Sequence, residues 1–184
     1  MPTHGRDGVS RYLAGSVSEK VVRLSPVPVL TVRMQPDETL EFPYEDILVP
    51  TDGSPAAARA AEHTLSLAAS LDATVHVLSV VDESTLGPDL RSTMSESETE
   101  RPATEAIEAV VSNAKTHGVT ETVRHVEHGT PAEEIVDCVE SNEIHAVGMG
   151  TTGKRGTERI LLGSVAEQTV RSAPVPVLTV GQAN

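Results

Sequence analysis

The residues best suited to chemistry form one string, Gly148-Met149-Gly150-Thr151-Thr152-Gly153-Lys154-Arg155-Gly156, with Gly163-Ser164 a short way on. Glycines let backbone N–H groups face an anion closely, with no Cβ in the way. Gly163-Ser164 opens a helix, whose N-terminus carries partial positive charge and free donors. Lys154, Arg155 and Arg159 add three bases to an otherwise acidic stretch. Together these point to phosphate. A ligand-free reading also stands, because Ser164 with Glu167 is a capping box whether or not anything binds. Gly153 is expected in a positive-φ turn that a β-branched residue could not adopt.

Two phosphate motifs overlap in the string, and both fail. Read from Gly148 it is G-x-G-x-x-G, but a dinucleotide site wants an acid about 20 residues on. Positions 168–174 hold no Asp or Glu. Read again it is G-x-x-x-x-G-K, but the next residue should be the Ser or Thr that holds Mg²⁺. Here it is Arg155.

The elements that must position the string alternate between two periods. Asp46–Pro50, Thr74–Val81, Glu121–Glu127, Ile144–Met149 and Val175–Val180 read as strands. Helical patterns lie between them, opened by Ser54-Pro55, by Thr130-Pro131 with Glu133, and by Ser164. A further helix is expected from about Thr104 to His117, after a polar loop from Ser84 to Pro102. Strands alternating with helices imply an α/β fold around a five-stranded parallel sheet sandwiched by helices. Such sheets bind ligands at the carboxyl ends of their strands, where the glycine string falls.

Residues 3–32 align without gaps to 151–180, with 18 of 30 positions identical and the run Pro26–Val32 repeated in full as Pro174–Val180. The segment between has no second copy. The chain therefore divides into a partial loop-helix-strand copy (1–34), a linker (35–43) and one complete unit (44–181). Either most of a first domain was lost, or Met1 is internal to a longer reading frame. Residues 1–34 carry net charge +3 and residues 35–184 carry −16.

The rest of the composition excludes function classes. Acids outnumber bases 27 to 14 over 184 residues, so nucleic-acid phosphates would be repelled. One cysteine, Cys138, rules out an internal disulfide framework and is expected in the core. No apolar run approaches the roughly 20 residues of a membrane span, and no signal-peptide core is present. A cytoplasmic protein is implied, and the excess of carboxylates suits a salt-rich cytoplasm.

Several segments resemble the universal stress protein family. They are Gly150-x2-Gly153-x9-Gly163-Ser164, the strand end Val49-Pro50-Thr51-Asp52-Gly53-Ser54, Val80-Val81-Asp82, Gly129-Thr130-Pro131-Ala132-Glu133-Glu134 and the close Pro174-Val175-Pro176-Val177-Leu178. The likeness covers 44–181 in full and 3–32 as a partial copy. It implies strand order 3-2-1-4-5 and a regulator binding ATP or AMP, with Mg²⁺ a further candidate. The residues it assigns to the nucleotide are Pro50, Thr51, Asp52, Val80, Met149, Gly150, Gly153, Lys154, Arg155, Gly156, Gly163, Ser164, Val165 and Ala166. Asp52 would bond a ribose or adenine edge and Val80 would touch the base, although Asp52 also reads as an Asx-turn. The alternative is an interaction or dimerisation module that keeps the fold and binds no nucleotide.

No catalytic triad is visible and no general base is identified, so at most slow ATP hydrolysis would accompany binding. His145 stands where the family often has Asp and reads as a surface or edge residue. His125 and His128 read as a solvated strand edge, and no metal site is expected. The resemblance implies a homodimer through Val175–Val180. Intramolecular pairing of that strand with Val27–Val32 would compete, and a floppy N-terminal relic is the bland alternative.

Overall fold

The computed structural model describes residues 15–33, 41–82, 95–153 and 162–181. In chain order the elements are α1 (Gly15–Leu24), β1 (Val29–Thr31), β2 (Asp46–Pro50), α2 (Pro55–Leu71), β3 (Thr74–Val81), α3 (Glu96–His117), β4 (Thr122–His128), α4 (Pro131–Ser141), β5 (Ala146–Gly150), α5 (Ser164–Ser172) and β6 (Val177–Val180).

They form one sheet in the order β1-β6-β5-β2-β3-β4. Five strands are parallel, in the expected 3-2-1-4-5 arrangement once β1 is set aside. The sixth, β1, adds antiparallel to β6. The central strand shows why the sheet is parallel. Ile47, Leu48 and Val49 are consecutive and all buried, as a strand covered on both faces requires. Ile47 and Val49 pack with Leu65, Ile107 and Val111 beneath α2 and α3. Leu48 packs on the other face with Ile135, Val139 and Ala166 from α4 and α5. Two layers of helices thus hold the strand ends rigidly.

Local chemistry sets the helix ends. Ser54 caps α2, its Oγ accepting from the Ala57 N–H at 3.1 Å, with Pro55 in the first turn. Asp72, left-handed at φ 56°, ends it. Three expectations need correction. First, α3 starts at Glu96, not Thr104, so residues 95–102 belong to its cap and first turns. The Ser95 N–H donates to the Glu98 carboxylate at 2.9 Å, and this cap starts the helix upstream of Pro102. The rest of the expected loop, 84–94, lies outside the described residues. Second, Thr130 caps α4 without a side-chain bond, so the expected capping box there does not form. Third, the cap of α5 is Gly163. Ser164 becomes the first helical residue, and Glu167, instead of reaching back to a cap, pairs with Arg171 at 2.9 Å.

Candidate functional site

The carboxyl ends of β2, β3 and β5 meet the N-terminus of α5 at a cavity of about 900 Å³. Each wall follows from a local device. At the end of β2 the buried Thr51 donates its N–H to Leu78 O at 2.8 Å, which ties the strand end to β3. Its Oγ1 accepts from the Gly53 N–H at 3.1 Å. Gly53 sits at φ 73°, a turn that favours glycine. Asp52 then accepts from the Ser54 N–H at 2.9 Å and also lines the cavity. The Asx-turn and the exposed carboxylate are one arrangement, since the turn engages Oδ1 and leaves Oδ2 towards Gly153.

At the end of β5, Thr151 donates to Val180 O at 3.1 Å and accepts from the Gly163 N–H at 2.7 Å. That bond draws the start of α5 onto the strand end, whatever course the intervening loop takes. The N–H groups of Ser164, Val165 and Ala166 then have no intrahelical acceptor, and these residues line the cavity. Gly150 and Gly163 are glycine for lack of space. A Cβ on Gly150 would stand 3.0 Å from the Ala56 backbone, and one on Gly163 would stand 3.3 Å from Thr151 O. Gly153 differs from expectation. It does not occupy the left-handed region, and its constraint is the Asp52 carboxylate 2.9 Å from where a Cβ would stand.

Of the residues singled out from the sequence, Pro50, Thr51, Asp52 and Val80 line this cavity, as do Met149, Gly150 and Gly153. Gly163 and the first turn of α5 complete the set. Lys154, Arg155 and Gly156 lie outside the described residues. Sequence reasoning missed the wall formed by Glu98, Thr99 and Pro102, because the first turns of α3 were read as loop. The Ser95–Glu98 spacing was the available signal. It also missed Pro131 and Ile135 of α4, and Asp82 just past β3.

The described wall is acidic. Asp52, Asp82 and Glu98 line it, and no Lys, Arg, His or Cys among the described residues does. The backbone N–H of Ser95 holds the Glu98 carboxyl below its usual range, with the Ser95 hydroxyl adding to this. Positive potential in this part of the wall comes from backbone donors alone.

The histidines lie away from this cavity and differ from the sequence reading. His145 is not a free surface side chain. It is half-buried, its Nδ1 accepts from the Asp46 N–H at 3.0 Å, and its Nε2 is 3.4 Å from Glu41. His125 packs in parallel on the buried His76, with Nε2 3.0 Å from His76 Nδ1, and His76 Nε2 is 3.1 Å from Asp46. His128 is 2.9 Å from Glu100. Among the described residues no group of three such side chains is arranged to hold a metal ion. Cys138 is buried among Ile135 and Val139, as expected.

A doubly covered α/β sheet with a glycine-lined cavity at its strand ends defines the class of α/β folds that take ligands at the carboxyl ends of their strands. A model of the universal stress protein family matches residues 1–33 and 43–181. The chain belongs to that family. A universal stress protein of Methanocaldococcus jannaschii is 40% identical over 144 residues, covering 74% of this chain and 82% of that protein. The structure of universal stress protein UspA from Lactobacillus plantarum is similar at a TM-score of 0.66 and 29% identity, over 74% of this chain and 97% of that one. A universal stress protein solved in complex with cAMP shares the fold at a TM-score of 0.59 and 22% identity, over 75% of this chain and 97% of that one.

Proposed function

We propose that this chain is an adenine-nucleotide-binding regulator of the stress response, taking ATP or AMP in the cavity at the ends of β2, β3 and β5. The observation that carries the reading is the convergence of Asp52, Gly150, Gly153 and the first turn of α5 on one cavity of about 900 Å³. In this reading the phosphates lie against Gly150, Gly153, Gly163 and the N–H groups of Ser164, Val165 and Ala166. Lys154, Arg155 and Gly156, which follow Gly153 in the sequence, are further candidates for the phosphates. Thr51 and Asp52 hold the ribose or base edge, with Pro50, Val80 and Met149 as apolar walls. Ser164 is a helical residue rather than a cap, which leaves its hydroxyl for the ligand. The carboxylates of Asp52 and Asp82 suit a Mg²⁺ ion that arrives with the phosphates. That another protein of this fold was solved with cAMP is consistent with the reading.

We read the chain as a regulator and not as a dedicated enzyme. Slow ATP hydrolysis is the most it would add. We further infer that residues 1–34 are a partial copy of the family domain, 35–43 a linker and 44–181 the complete domain. The family model's two matches support this division. No described helix is long and apolar enough to cross a membrane, and a salt-rich cytoplasm suits the net charge of −13.

One observation favours a second reading. The described wall carries three carboxylates and no base, as would suit an interaction or dimerisation module that takes no nucleotide. The two readings separate on freshly purified protein. Adenine nucleotide released on denaturation, or a raised melting temperature in millimolar ATP or AMP, supports the first. An empty protein with an unshifted melting temperature refutes it.

A further inference from the structure

The stretch of α3 that walls the cavity differs in build from the rest of that helix. Ser95, Ser97, Glu98, Arg101 and Pro102 are exposed, and Thr99 and Glu100 are half-buried. The first of the described side chains to be buried is Ala103, after which Ala106, Ile107, Val110 and Val111 follow at helical spacing. Ile107 and Val111 pack with Val75 and Val77 of β3. The helix is thus fastened to the core downstream of Pro102. Pro102 itself is a weak joint in the backbone. It has no N–H, so the Glu98 carbonyl lacks its helical donor, and the ring crowds that carbonyl. Upstream of the joint the stretch is held together from within. The Ser95 N–H donates to the Glu98 carboxylate at 2.9 Å, and the Thr99 N–H donates to Ser95 O at 3.1 Å. Among the described residues one side-chain bond ties it to the sheet, between His128 Nε2 and Glu100 Oε1 at 2.9 Å. His128 ends β4 opposite Val81, and Val81 lines the cavity together with Glu98, Thr99 and Pro102.

We propose that residues 95–101 form a gate on the cavity, hinged at Pro102 and latched to the sheet by the Glu100–His128 bond. The gate rests on the nucleotide reading of that cavity. With the latch closed, Glu98 and Thr99 wall the cavity. With it open, the stretch turns about Pro102 as one capped unit and takes that wall with it. Entry and exit of a nucleotide then share a single opening step. Glu100 and His128 are positioning residues, since they hold the wall without lining the cavity themselves. Each of these two side chains is 34% exposed, so water competes for the latch and the bond opens far more readily than the core below it.

The test uses the full chain and two readouts. In ligand-free protein, amide hydrogen exchange at residues 99–101 reports the hinge by itself. His128→Ala should speed that exchange about tenfold, while the amides of residues 107–114 keep their rates. Glu100→Ala should do the same, and the double variant should be no faster than either. Pro102→Ala should slow it, because alanine returns the missing donor to the Glu98 carbonyl. Stopped-flow mixing with N-methylanthraniloyl-ATP then reads the passage of nucleotide. Association and dissociation should both quicken about tenfold in His128→Ala, leaving their ratio, the Kd, nearly unchanged. Exchange at residues 99–101 that ignores the latch would overturn the proposal, whether or not nucleotide binds. Faster dissociation with unchanged association would also overturn it, since His128 would then support the bound ligand and not its passage. Faster exchange at residues 99–101 with no nucleotide bound by any variant would leave the hinge and latch standing and refute the nucleotide reading instead.

Discussion

Gly153→Val separates ligand binding from fold stability. Gly153 is exposed and outside the left-handed region, so valine can adopt its backbone. The obstacle is the Asp52 Oδ2 atom, 2.9 Å from an added Cβ. The carboxylate cannot swing away freely, because Oδ1 accepts from the Ser54 N–H at 2.9 Å. Giving up that bond costs about 1 kcal/mol, which sets the expected loss of apo stability. For a chain of this size that corresponds to roughly 2–4 °C in melting temperature. The ligand effect is larger. On the proposed reading, ATP at about 100 times its Kd should stabilise the wild-type fold by about 2.7 kcal/mol. That is roughly 5–11 °C by the same scaling. A tenfold loss of affinity in the variant would cut the increment to about 1.4 kcal/mol at the same ATP concentration, and complete occlusion would remove it. Calorimetric unfolding of both proteins with and without ATP reads both numbers. An ATP increment equal to wild type in Gly153→Val would refute the assignment of Asp52 and Gly153 to the ligand wall.

Three further outcomes are expected. Burial, with the Glu127 charge a lesser cause, pushes the Cys138 thiol from an ordinary 9.0 up to about 11. The folded thiol thus keeps a proton that the unfolded chain loses, so stability falls as pH rises from 9 to 11, and Cys138→Ala should flatten that part of a pH–stability curve. For His125, burial and then the neighbouring His76 hold the imidazole below its usual range. Its contribution is complete above about pH 6.5 and is lost as pH falls, so His125→Gln should soften the acid limb of denaturant midpoints. A Cβ on Gly148 would overlap the Thr64 side chain, so Gly148→Ala should cost about 1–3 kcal/mol by urea titration. Thr64→Ala should restore part of the loss. A cost that Thr64→Ala leaves untouched would place the strain elsewhere.

The sequence alone determined the layout, because each strand and helix signal is local. Consecutive buried residues such as Ile47-Leu48-Val49 fix a doubly covered strand, and Ser54-Pro55 fixes the start of α2. The repeat announced a helix and strand ahead of the complete unit, and the glycine string marked where backbone comes close to something. Where the cap of α5 falls was not legible, since Gly163 and Ser164 both suit that position and only the bond from Gly163 N–H to Thr151 O decides between them. Nor was the wall from α3, because Pro102 masks a helix whose start depends on one carboxylate reaching back to Ser95. The histidines needed the fold most. His76, His125 and Asp46 lie on three different strands, and their hydrogen bonds exist only because the parallel register brings those strands side by side. Local pattern sets each element's type and extent, while contacts between residues far apart in sequence depend on packing, which tertiary structure alone supplies.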